Sequence, residues 1–314
     1  MIKSIRNIIE FENVKKIMGS RVIINNINFT VKQGNVFGFI GPNGAGKTTT
    51  IKLMLNFLKA EEGRVSLFNK DVNSLDNNIK RRISVLFDAN ILNPLLKVKE
   101  ELELFYRLYG VKDYKNKIMY WLEKLNIMEY ENYYVKQLSL GLSQKVSLAK
   151  VLGVNADLII LDEPFNNLDV SSQFELCDLI NKLNTSENKT FFISSHNLSN
   201  MEKICDSLAF IQKGKIIESG EIEFFKRKYF DNIIIIKLKG DSINRFIGIL
   251  DKSKAFEYKT VDKNTIELHN VNPQEGNRFY CLFDLIKKNN LEIHSIAEKE
   301  FDFEDIYRRI INEN

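Results

Sequence analysis

The sequence predicts an α/β fold over residues 1–225 and a small α+β domain over residues 226–314. Three observations support this prediction. An apolar run at 36–40 leads into a glycine-rich loop and then into a helical pattern. Two further apolar runs, at 158–161 and 191–193, have the length of strands buried on both faces of a parallel sheet. The last part of the chain follows the order β-α-β-β-α-β of a ferredoxin-like module.

The first elements along the chain are strands. Residues 8–31 contain three short runs that alternate apolar and polar side chains, with turn residues such as Gly19 between them. The turn Lys32–Asn35 then leads into the apolar run at 36–40. This pattern predicts a small antiparallel sheet that packs against the strand at 36–40.

The glycine-rich loop Gly41–Thr48 fits the pattern G-x-x-x-x-G-K-[ST]. Its glycines allow successive backbone N–H groups to point at phosphate oxygens, and the following helix adds the positive end of its dipole. Lys47 would reach the β- and γ-phosphates, and the Thr48 hydroxyl would ligate Mg²⁺. An ordinary glycine-rich turn explains neither the lysine nor the hydroxyl. We therefore predict a site for a triphosphate, formed by Gly41, Pro42, Asn43, Gly44, Ala45, Gly46, Lys47, Thr48 and Thr49.

A helical insertion is predicted at about residues 90–150, because apolar side chains recur there at helical spacing. Near its end, Ser139 and Gly141 stand at the start of a new helix. A helix N-terminus is suited to bind a phosphate. A serine in that position is also an ordinary N-cap, so the local pattern leaves both interpretations open.

Two carboxylates follow the apolar run at 158–161. Asp162 and Glu163 would lie at the carboxyl end of a buried strand, where open α/β sheets bind ligands. Asp162 can hold the water shell of Mg²⁺, and Glu163 can polarise a water in line with the γ-phosphate. We favour these roles over a simple acidic loop, because the predicted phosphate loop needs such a partner.

A histidine follows the third buried strand. The strand predicted at Thr190–Ser195 ends at His196, one of three histidines in the chain. Because this imidazole comes after a core strand that follows the Asp–Glu strand, we predict that His196 senses the γ-phosphate. An ordinary packed histidine is the alternative, and it is our interpretation of His269 and His294.

The composition favours a cytosolic protein that does not bind nucleic acid. The net charge is +4, with acidic and basic residues interleaved. No apolar run approaches the ~20 residues of a membrane-spanning helix, and the segment 1–7 lacks the apolar core of a signal peptide. The three cysteines lie far apart and indicate a reducing compartment. Any membrane spans would belong to another chain.

With these motifs in order, the first domain resembles the nucleotide-binding subunit of an ABC transporter over about residues 5–225. Gly41–Thr48 matches the Walker A motif. Leu158–Asp162 matches Walker B, and the resemblance makes Glu163 the catalytic carboxylate. Ser139–Gly141 matches the LSGGQ signature, and His196 matches the switch histidine. Asn167–Asp169 resembles the D-loop, which adds Asp169 to the nucleotide site.

Three motifs depart from the family pattern. The signature reads Leu-Ser-Leu-Gly-Leu, a version that resembles the branch exporting peptide antibiotics and lantibiotics. Asp88 replaces the Q-loop glutamine; it can still ligate Mg²⁺ or water, but it is shorter and charged. Met18 replaces the aromatic residue that stacks on adenine, and its thioether packs on a ring more weakly. Phe11 and Arg21 are alternative contacts for the base.

The resemblance implies a P-loop ATPase core with an antiparallel β-subdomain and a helical insertion, and a C-terminal domain like that of the same efflux branch. It also implies ATP and Mg²⁺ as ligands. Two copies, or one copy and a paralogous subunit, would sandwich ATP between Gly41–Thr48 of one and Ser139–Gly141 of the other. A separate integral-membrane permease would hold the dimer on the inner face of the cell membrane. ATP hydrolysis would then drive export of a drug, peptide antibiotic or similar compound.

Two alternative functions are compatible with Gly41–Thr48. Soluble ABC ATPases that act on ribosomes or nucleic acid usually carry two ATPase domains or a long coiled coil, and this sequence predicts neither. A small-molecule kinase would need an acceptor-binding lid, and it does not explain Ser139–Gly141.

Overall fold

The computed structural model describes residues 6–88, 91–230, 233–239, 242–253, 256–269, 276–299 and 302–313. Residues 1–5, which begin the segment that lacks signal-peptide features, lie outside this part of the chain. The chain divides into two compact units, residues 1–222 with 303–314 and residues 223–302. In the described part of the chain, no helix is both long enough and apolar enough to cross a membrane.

The first unit contains ten strands: β1 (Asn7–Met18), β2 (Arg21–Lys32), β3 (Val36–Ile40), β4 (Glu62–Leu67), β5 (Lys70–Asp71), β6 (Ile83–Leu86), β7 (Leu158–Asp162), β8 (Thr190–Ser195), β9 (Ser207–Gln212) and β10 (Lys215–Glu221). Seven of its helices are α1 (Lys47–Met54), α2 (Asn77–Lys80), α3 (Val98–Leu108), α4 (Tyr114–Lys124), α5 (Leu140–Leu152), α6 (Val170–Glu187) and α7 (Leu198–Ile204). Both counts refer to the described residues.

A six-stranded sheet in the order β10-β9-β3-β8-β7-β6 forms the centre of this unit. Strands β6, β7, β8, β3 and β9 are parallel to one another, and β10 pairs antiparallel with β9. Because parallel strands end at the same edge of a sheet, the residues that follow β3, β7 and β8 lie close together. Gly41, Glu163 and His196 occupy these positions, and the predicted α/β core is confirmed.

The antiparallel sheet β2-β1-β4-β5 packs on the central sheet through aromatic side chains. The Phe29 ring of β2 lies 5.6 Å from the Phe37 ring of β3 and 6.1 Å from the Phe192 ring of β8. On its other side it stacks on Phe11 at 4.5 Å. These alternating side chains of β1 and β2 bury their apolar face against β3, so the predicted β-subdomain is confirmed.

Helices α3, α4 and α5 form the insertion between β6 and β7, as predicted from their apolar spacing. Their contact is close-packed: Tyr106 of α3 is fully buried, and its hydroxyl donates to the carbonyl of Ala149 in α5 at 2.7 Å. A Cβ at Gly153, the C-cap of α5, would lie 1.8 Å from the same hydroxyl oxygen, so glycine is required there. These contacts attach the C-terminal half of α5 to α3.

The second unit follows helix α8 (Ile222–Phe230), most of which belongs to it. Its sheet has the order β12-β13-β11-β14, with all neighbours antiparallel. Apolar residues of the sheet and of the helices α9 and α10, among them Phe246, Leu250, Leu282 and Ile286, form one core. This is the predicted ferredoxin-like arrangement, built from β11 (Ile234–Leu238), α9 (Ser242–Ser253), β12 (Glu257–Thr260), β13 (Thr265–His269), α10 (Gly276–Lys288) and β14 (Ile293–Glu298).

The last helix, α11 (Phe303–Glu313), differs from expectation. The sequence assigned it to the accessory domain at residues 226–314, but its contacts group it with the first unit, where it packs on α7. The amphipathic pattern of α11 predicts an apolar face and gives no information about which surface that face covers. The assignment of residues 1–225 and 226–314 as functional domains stays a prediction.

Candidate functional site

The loop between β3 and α1 adopts a backbone conformation that requires glycine. Gly44 has φ +76° and Gly46 has φ +114°, in the region that other residues rarely adopt. A Cβ at Gly41 would lie 2.2 Å from the carbonyl oxygen of Ile211 in β9. Helix α1 begins directly at Lys47, so Thr48 and Thr49 occupy its first turn. The loop therefore places a helix N-terminus at the carboxyl edge of the sheet, which is the arrangement that binds phosphate.

Lys47 connects this loop to the carboxylates after β7. Its ammonium donates to the carbonyls of Gly41 at 2.7 Å and Pro42 at 3.3 Å. The same nitrogen lies 3.1 Å from Oε1 of Glu163, and both side chains are more than nine-tenths buried. A buried ion pair with further hydrogen bonds fixes the position of the charge.

Asp162 accepts hydrogen bonds from two hydroxyls. The Thr48 hydroxyl donates to Oδ2 at 2.8 Å, and the Ser194 hydroxyl of β8 donates to Oδ1. Burial raises the pKa of Asp162, and these two hydrogen bonds partly oppose the rise. Ser194 was not among the residues predicted to form the site. Its signal was its place at the end of β8, directly opposite Asp162 in the register of β7 and β8.

Glu163 is held in a conformation that is unusual for glutamate. Its φ is +50°; among the described residues, eleven non-glycine residues have positive φ and eight of them are asparagine, which tolerates that region. The backbone N–H of Glu163 donates to the carbonyl of Ser194 at 3.0 Å, and Oε2 lies 2.9 Å from Nδ1 of His196. The buried Oε1 has no well-aligned hydrogen bond among the described residues, although Lys47 lies beside it. One carboxylate oxygen therefore keeps capacity to accept a proton.

Asp88 lies near this cluster and has a hydrogen-bond partner, Asn166, that was not predicted from the sequence. Its Oδ1 accepts a hydrogen bond from Nδ2 of Asn166 at 2.9 Å. Its charge is close enough to Asp162 to add to the rise in that residue's pKa. Asn166 lies in the turn between β7 and α6, so it could have been recognised only from the tertiary contact between that turn and the end of β6.

The oxygen donors of this cluster suit Mg²⁺. The ion prefers hard oxygen ligands and is commonly held by one or two carboxylates, waters and substrate phosphates. Thr48 and Asp162 supply a hydroxyl and a carboxylate that already contact each other. Within the described residues, no group of three His, Cys, Asp or Glu side chains forms a complete metal site. The hydroxyl of Thr48 and the carboxylate of Asp162 fit an Mg²⁺ ion that a bound phosphate would share.

Ser139, Gly141 and Asp169 lie at helix N-termini. Ser139 is the N-cap of α5, where its hydroxyl accepts from the N–H of Leu142 at 3.2 Å. Asp169 is the N-cap of α6 and accepts from the N–H of Ser172 at 2.7 Å, which lowers the pKa of its carboxyl. Among the described residues, no hydrogen bond joins Ser139, Gly141 or Asp169 to the loop Gly41–Thr48.

The start of α5 is tied to the turn that carries Asp169. A Cβ at Gly141 would lie 2.8 Å from the carbonyl oxygen of Asn167. Gln144 is buried and donates to the carbonyl of Pro164 at 2.9 Å. These contacts fix the N-terminus of α5 relative to the residues that follow Glu163.

The predicted base contacts lie at the end of β1. Met18 is 40% exposed and pairs with Arg21 across the hairpin between β1 and β2. Phe11 is 2% exposed under Phe29, so its ring is not accessible to a base. Met18 and Arg21 therefore remain the candidates from the sequence analysis.

The strand–loop–helix, the buried Lys47 and the Asp–Glu pair define a nucleotide-hydrolysing protein of the P-loop class. A family model described as "ABC transporter" matches residues 24–166. The chain is 36% identical to the "Uncharacterized ABC transporter ATP-binding protein MJ1023" of Methanocaldococcus jannaschii, over 73% of this chain and 85% of the relative. The chain belongs to the ABC transporter family, as an ATP-binding subunit and an ATPase.

Two further comparisons cover different extents of the chain. The "Bacitracin transport ATP-binding protein BcrA" of Bacillus licheniformis is 29% identical over 97% of both chains. A solved dimer of the ATP-binding cassette MJ0796 in a post-hydrolysis state with ADP and Pi has a TM-score of 0.63 and 25% identity. It covers 68% of this chain, and this chain covers 98% of it. The first unit thus has the fold of the cassette, and the similarity to the bacitracin protein extends through both units.

Proposed function

We propose that this ATPase energises a separate membrane permease that exports a drug, a peptide antibiotic or a similar compound. The observation that carries the proposal is the convergence of Lys47, Thr48, Asp162, Glu163 and His196 at one edge of the central sheet. The full-length similarity to a bacitracin transport protein supports the compound class. The permease keeps the chain on the inner face of the cell membrane.

In this proposal, Glu163 is the general base for hydrolysis. Its oxygen Oε1 lies beside Lys47, which would reach the β- and γ-phosphates, so an attacking water would sit between the carboxylate and the γ-phosphate. His196 holds the other carboxylate oxygen through Nδ1 and senses the γ-phosphate. Thr48 and Asp162 would hold Mg²⁺, and Asp88, beside Asn166, would contribute through a water. When bound, the metal would neutralise charge on the phosphates.

The site is completed by a second subunit. Ser139, Gly141 and Asp169 are placed at the N-termini of α5 and α6, which attract anions, but they make no hydrogen bond to the phosphate loop among the described residues. A triphosphate carries more charge than one loop and one lysine neutralise. We propose that Ser139 and Gly141 cover the ATP bound to Gly41–Thr48 of the partner, and that Met18 packs on the adenine.

A groove of about 480 Å³ with a mixed polar and apolar lining is the proposed docking site for the permease. It lies between the end of α1, β6 and α3, and its lining includes Phe57, Phe87, Phe105 and Tyr109. Phe57 is 67% exposed at its rim and contacts Phe87, which precedes Asp88. A short amphipathic helix of a membrane protein fits such a groove. Its occupation would be felt at Asp88 and hence at the metal site.

A Glu163→Gln variant tests the active site and the dimer together. We expect turnover to fall by roughly 100-fold or more, because glutamine cannot accept the proton. ATP should then be retained, and light scattering during size-exclusion chromatography should detect a dimer that depends on ATP and Mg²⁺. Glu187→Gln, an exposed substitution at the end of α6, is the matched control. Near wild-type turnover of Glu163→Gln would remove Glu163 from this role.

Antibiotic sensitivity tests the transport proposal. A strain that lacks the chain should become more sensitive to bacitracin or related peptide antibiotics, and the wild-type chain should restore resistance while Glu163→Gln should not. Unchanged sensitivity to these compounds would contradict the proposed compound class.

Membrane fractionation tests the proposed permease. The chain should fractionate with membranes. Co-sedimentation with ribosomes in place of membranes would support the alternative role of a soluble ABC ATPase.

A further inference from the structure

The last helix of the chain lies beside the phosphate loop. Phe303, Ile306 and Ile310 of α11 are at most 1% exposed, and their spacing places them on one face of the helix. That face packs on the first unit next to α7. Near the start of α11, the backbone N–H of Phe303 donates to Oε2 of Glu202 in α7 at 3.5 Å. Three apolar anchors therefore hold α11 against the element that follows His196.

Tyr307 is a residue of α11 that borders the same cavity as the phosphate loop and His196. Its ring lies 5.6 Å from that of Phe210, which is fully buried in β9 beside β3. Tyr307 also forms part of the wall of a cavity of about 320 Å³. The rest of the wall consists of Ile40 and the first three residues of the phosphate loop, Gly41–Asn43, with His196 and Leu198.

His196 depends on its surroundings for its position. Its side chain is 50% exposed, and it is fixed by the 2.9 Å contact between Nδ1 and Glu163 Oε2 and by its own backbone N–H, 3.4 Å from the same oxygen. The residue lies two positions before the start of α7. Any shift of the start of α7 therefore moves the imidazole relative to Glu163.

We propose that Tyr307 is a positioning residue for ATP hydrolysis: its ring, braced by Phe210, closes the outer wall of the cavity and restrains the segment His196–Leu198. The inference rests on the proposed role of His196. It makes the last helix of the chain a support for the catalytic centre, although the sequence assigns that helix to the accessory domain.

A purely structural role accounts less well for this residue. Phe303, Ile306 and Ile310 already bury the apolar face of α11. Tyr307 is only partly buried and borders an unfilled space, so its ring makes fewer close contacts than a residue packed on all sides. We therefore expect its removal to affect turnover more than the stability of the fold.

The experiment compares ATP turnover in three variants of the full chain. Tyr307→Leu removes the ring but keeps an apolar side chain, Tyr307→Phe keeps the ring, and Arg308→Ala alters an exposed neighbour on α11. We expect kcat to fall by about tenfold in Tyr307→Leu, because misplacement of a supporting group by about an ångström costs one to two orders of magnitude. The KM for ATP and the thermal midpoint should stay near the wild-type values. Tyr307→Phe and Arg308→Ala should match wild type.

Several outcomes would overturn the proposal. The first is a wild-type kcat in Tyr307→Leu. The second is a loss of kcat in Tyr307→Phe equal to that in Tyr307→Leu. The third is an effect of Tyr307→Leu that is confined to KM, or a loss of its activity that an equal loss of folded protein explains. His196→Ala separates this inference from the proposed function. If His196→Ala retains turnover, the sensor role itself fails; if it is inactive while Tyr307→Leu is normal, the role of Tyr307 alone fails.

Discussion

Lys47 gives a prediction about ATP affinity, because its buried ammonium lies in the phosphate loop. Lys47→Ala removes a buried ammonium, so the carbonyls of Gly41 and Pro42 lose their donor and the carboxylate of Glu163 loses its ion-pair partner. We expect ATP affinity to fall by at least about 2 kcal/mol, or roughly 30-fold, as for truncation of a buried charge pair. Titration with a fluorescent ATP analogue measures this change. Lys52→Ala, at an exposed lysine of the same helix, should leave affinity unchanged.

The reactivity of the cysteines gives a second prediction for single residues. Burial raises the pKa of Cys177 to about 11 and that of Cys205 well above its ordinary value, so both thiols stay protonated in mildly alkaline buffer. Cys281 is exposed. We expect iodoacetamide to modify Cys281 first in the native protein, as followed by mass spectrometry of peptides. All three should react after denaturation, and rapid labelling of native Cys177 would contradict its buried position.

At the residue scale, the sequence predicts which site residues come together. It predicts less about the contacts that hold each of them in place. A motif fixes residue types and strand ends, and these suffice to bring Lys47, Thr48, Asp162, Glu163 and His196 to one edge. The positive φ of Glu163 and the support of Asp162 by Ser194 depend on the register of β7 against β8. Register is set by long-range packing, so the local pattern shows that Ser194 ends a strand but not that it lies opposite Asp162, and it contains no signal for the φ of Glu163.

Helix α5 gives a prediction at the scale of single elements, because Ser139 has two separable roles there. As an N-cap it stabilises the helix, so Ser139→Ala should lower the free energy of unfolding by about 1 kcal/mol. Ser139→Asp keeps a good N-cap but adds a negative charge where the partner's phosphates would lie. Thermal unfolding should show Ser139→Asp close to wild type and Ser139→Ala less stable.

Dimerisation then separates the capping role from the phosphate role. In the Glu163→Gln background, Ser139→Asp should abolish the ATP-dependent dimer by charge repulsion while the fold is retained. An intact dimer in that double variant would show that Ser139 caps its own helix and does not face a phosphate. The two interpretations that the sequence leaves open at Ser139 are thus distinguished by one pair of substitutions.

Elements of the central sheet could be predicted because consecutive apolar residues identify strands that are covered on both faces. The observed β7 (Leu158–Asp162) and β8 (Thr190–Ser195) are examples. The strands β1 and β2 are longer than the short runs in the sequence indicate. Positive-φ asparagines at Asn13 and Asn26 interrupt the alternation of side chains, while the hydrogen-bonded ladder continues through register shifts.

At the scale of the whole molecule, the order of elements in residues 233–299 was sufficient to predict the ferredoxin-like unit. The return of α11 to the first unit was not predictable, because its apolar stripe fits any complementary surface. Because α11 packs on the first unit, Tyr307 borders the cavity beside the phosphate loop. Contacts between distant parts of a chain are decided by surface complementarity, which a local pattern does not encode.

The coupling of ATP hydrolysis to transport is also a property of the whole molecule. A substitution at Phe57, on the rim of the groove, tests it. Phe57→Glu places a charge at an exposed position on the rim, so we expect folding stability to change by only about 0.5 kcal/mol. The ATPase activity of the isolated chain should persist, because Phe57 contacts none of the site residues described above. Docking of an apolar helix should be lost, because the introduced carboxylate would have to be desolvated. Fractionation should then find Phe57→Glu outside the membrane pellet, whereas Met119→Glu, an exposed change on α4, should remain with it. If both variants stay with the membranes and still confer resistance, the groove is not the docking site, and the permease must bind another surface of the first unit or the second unit.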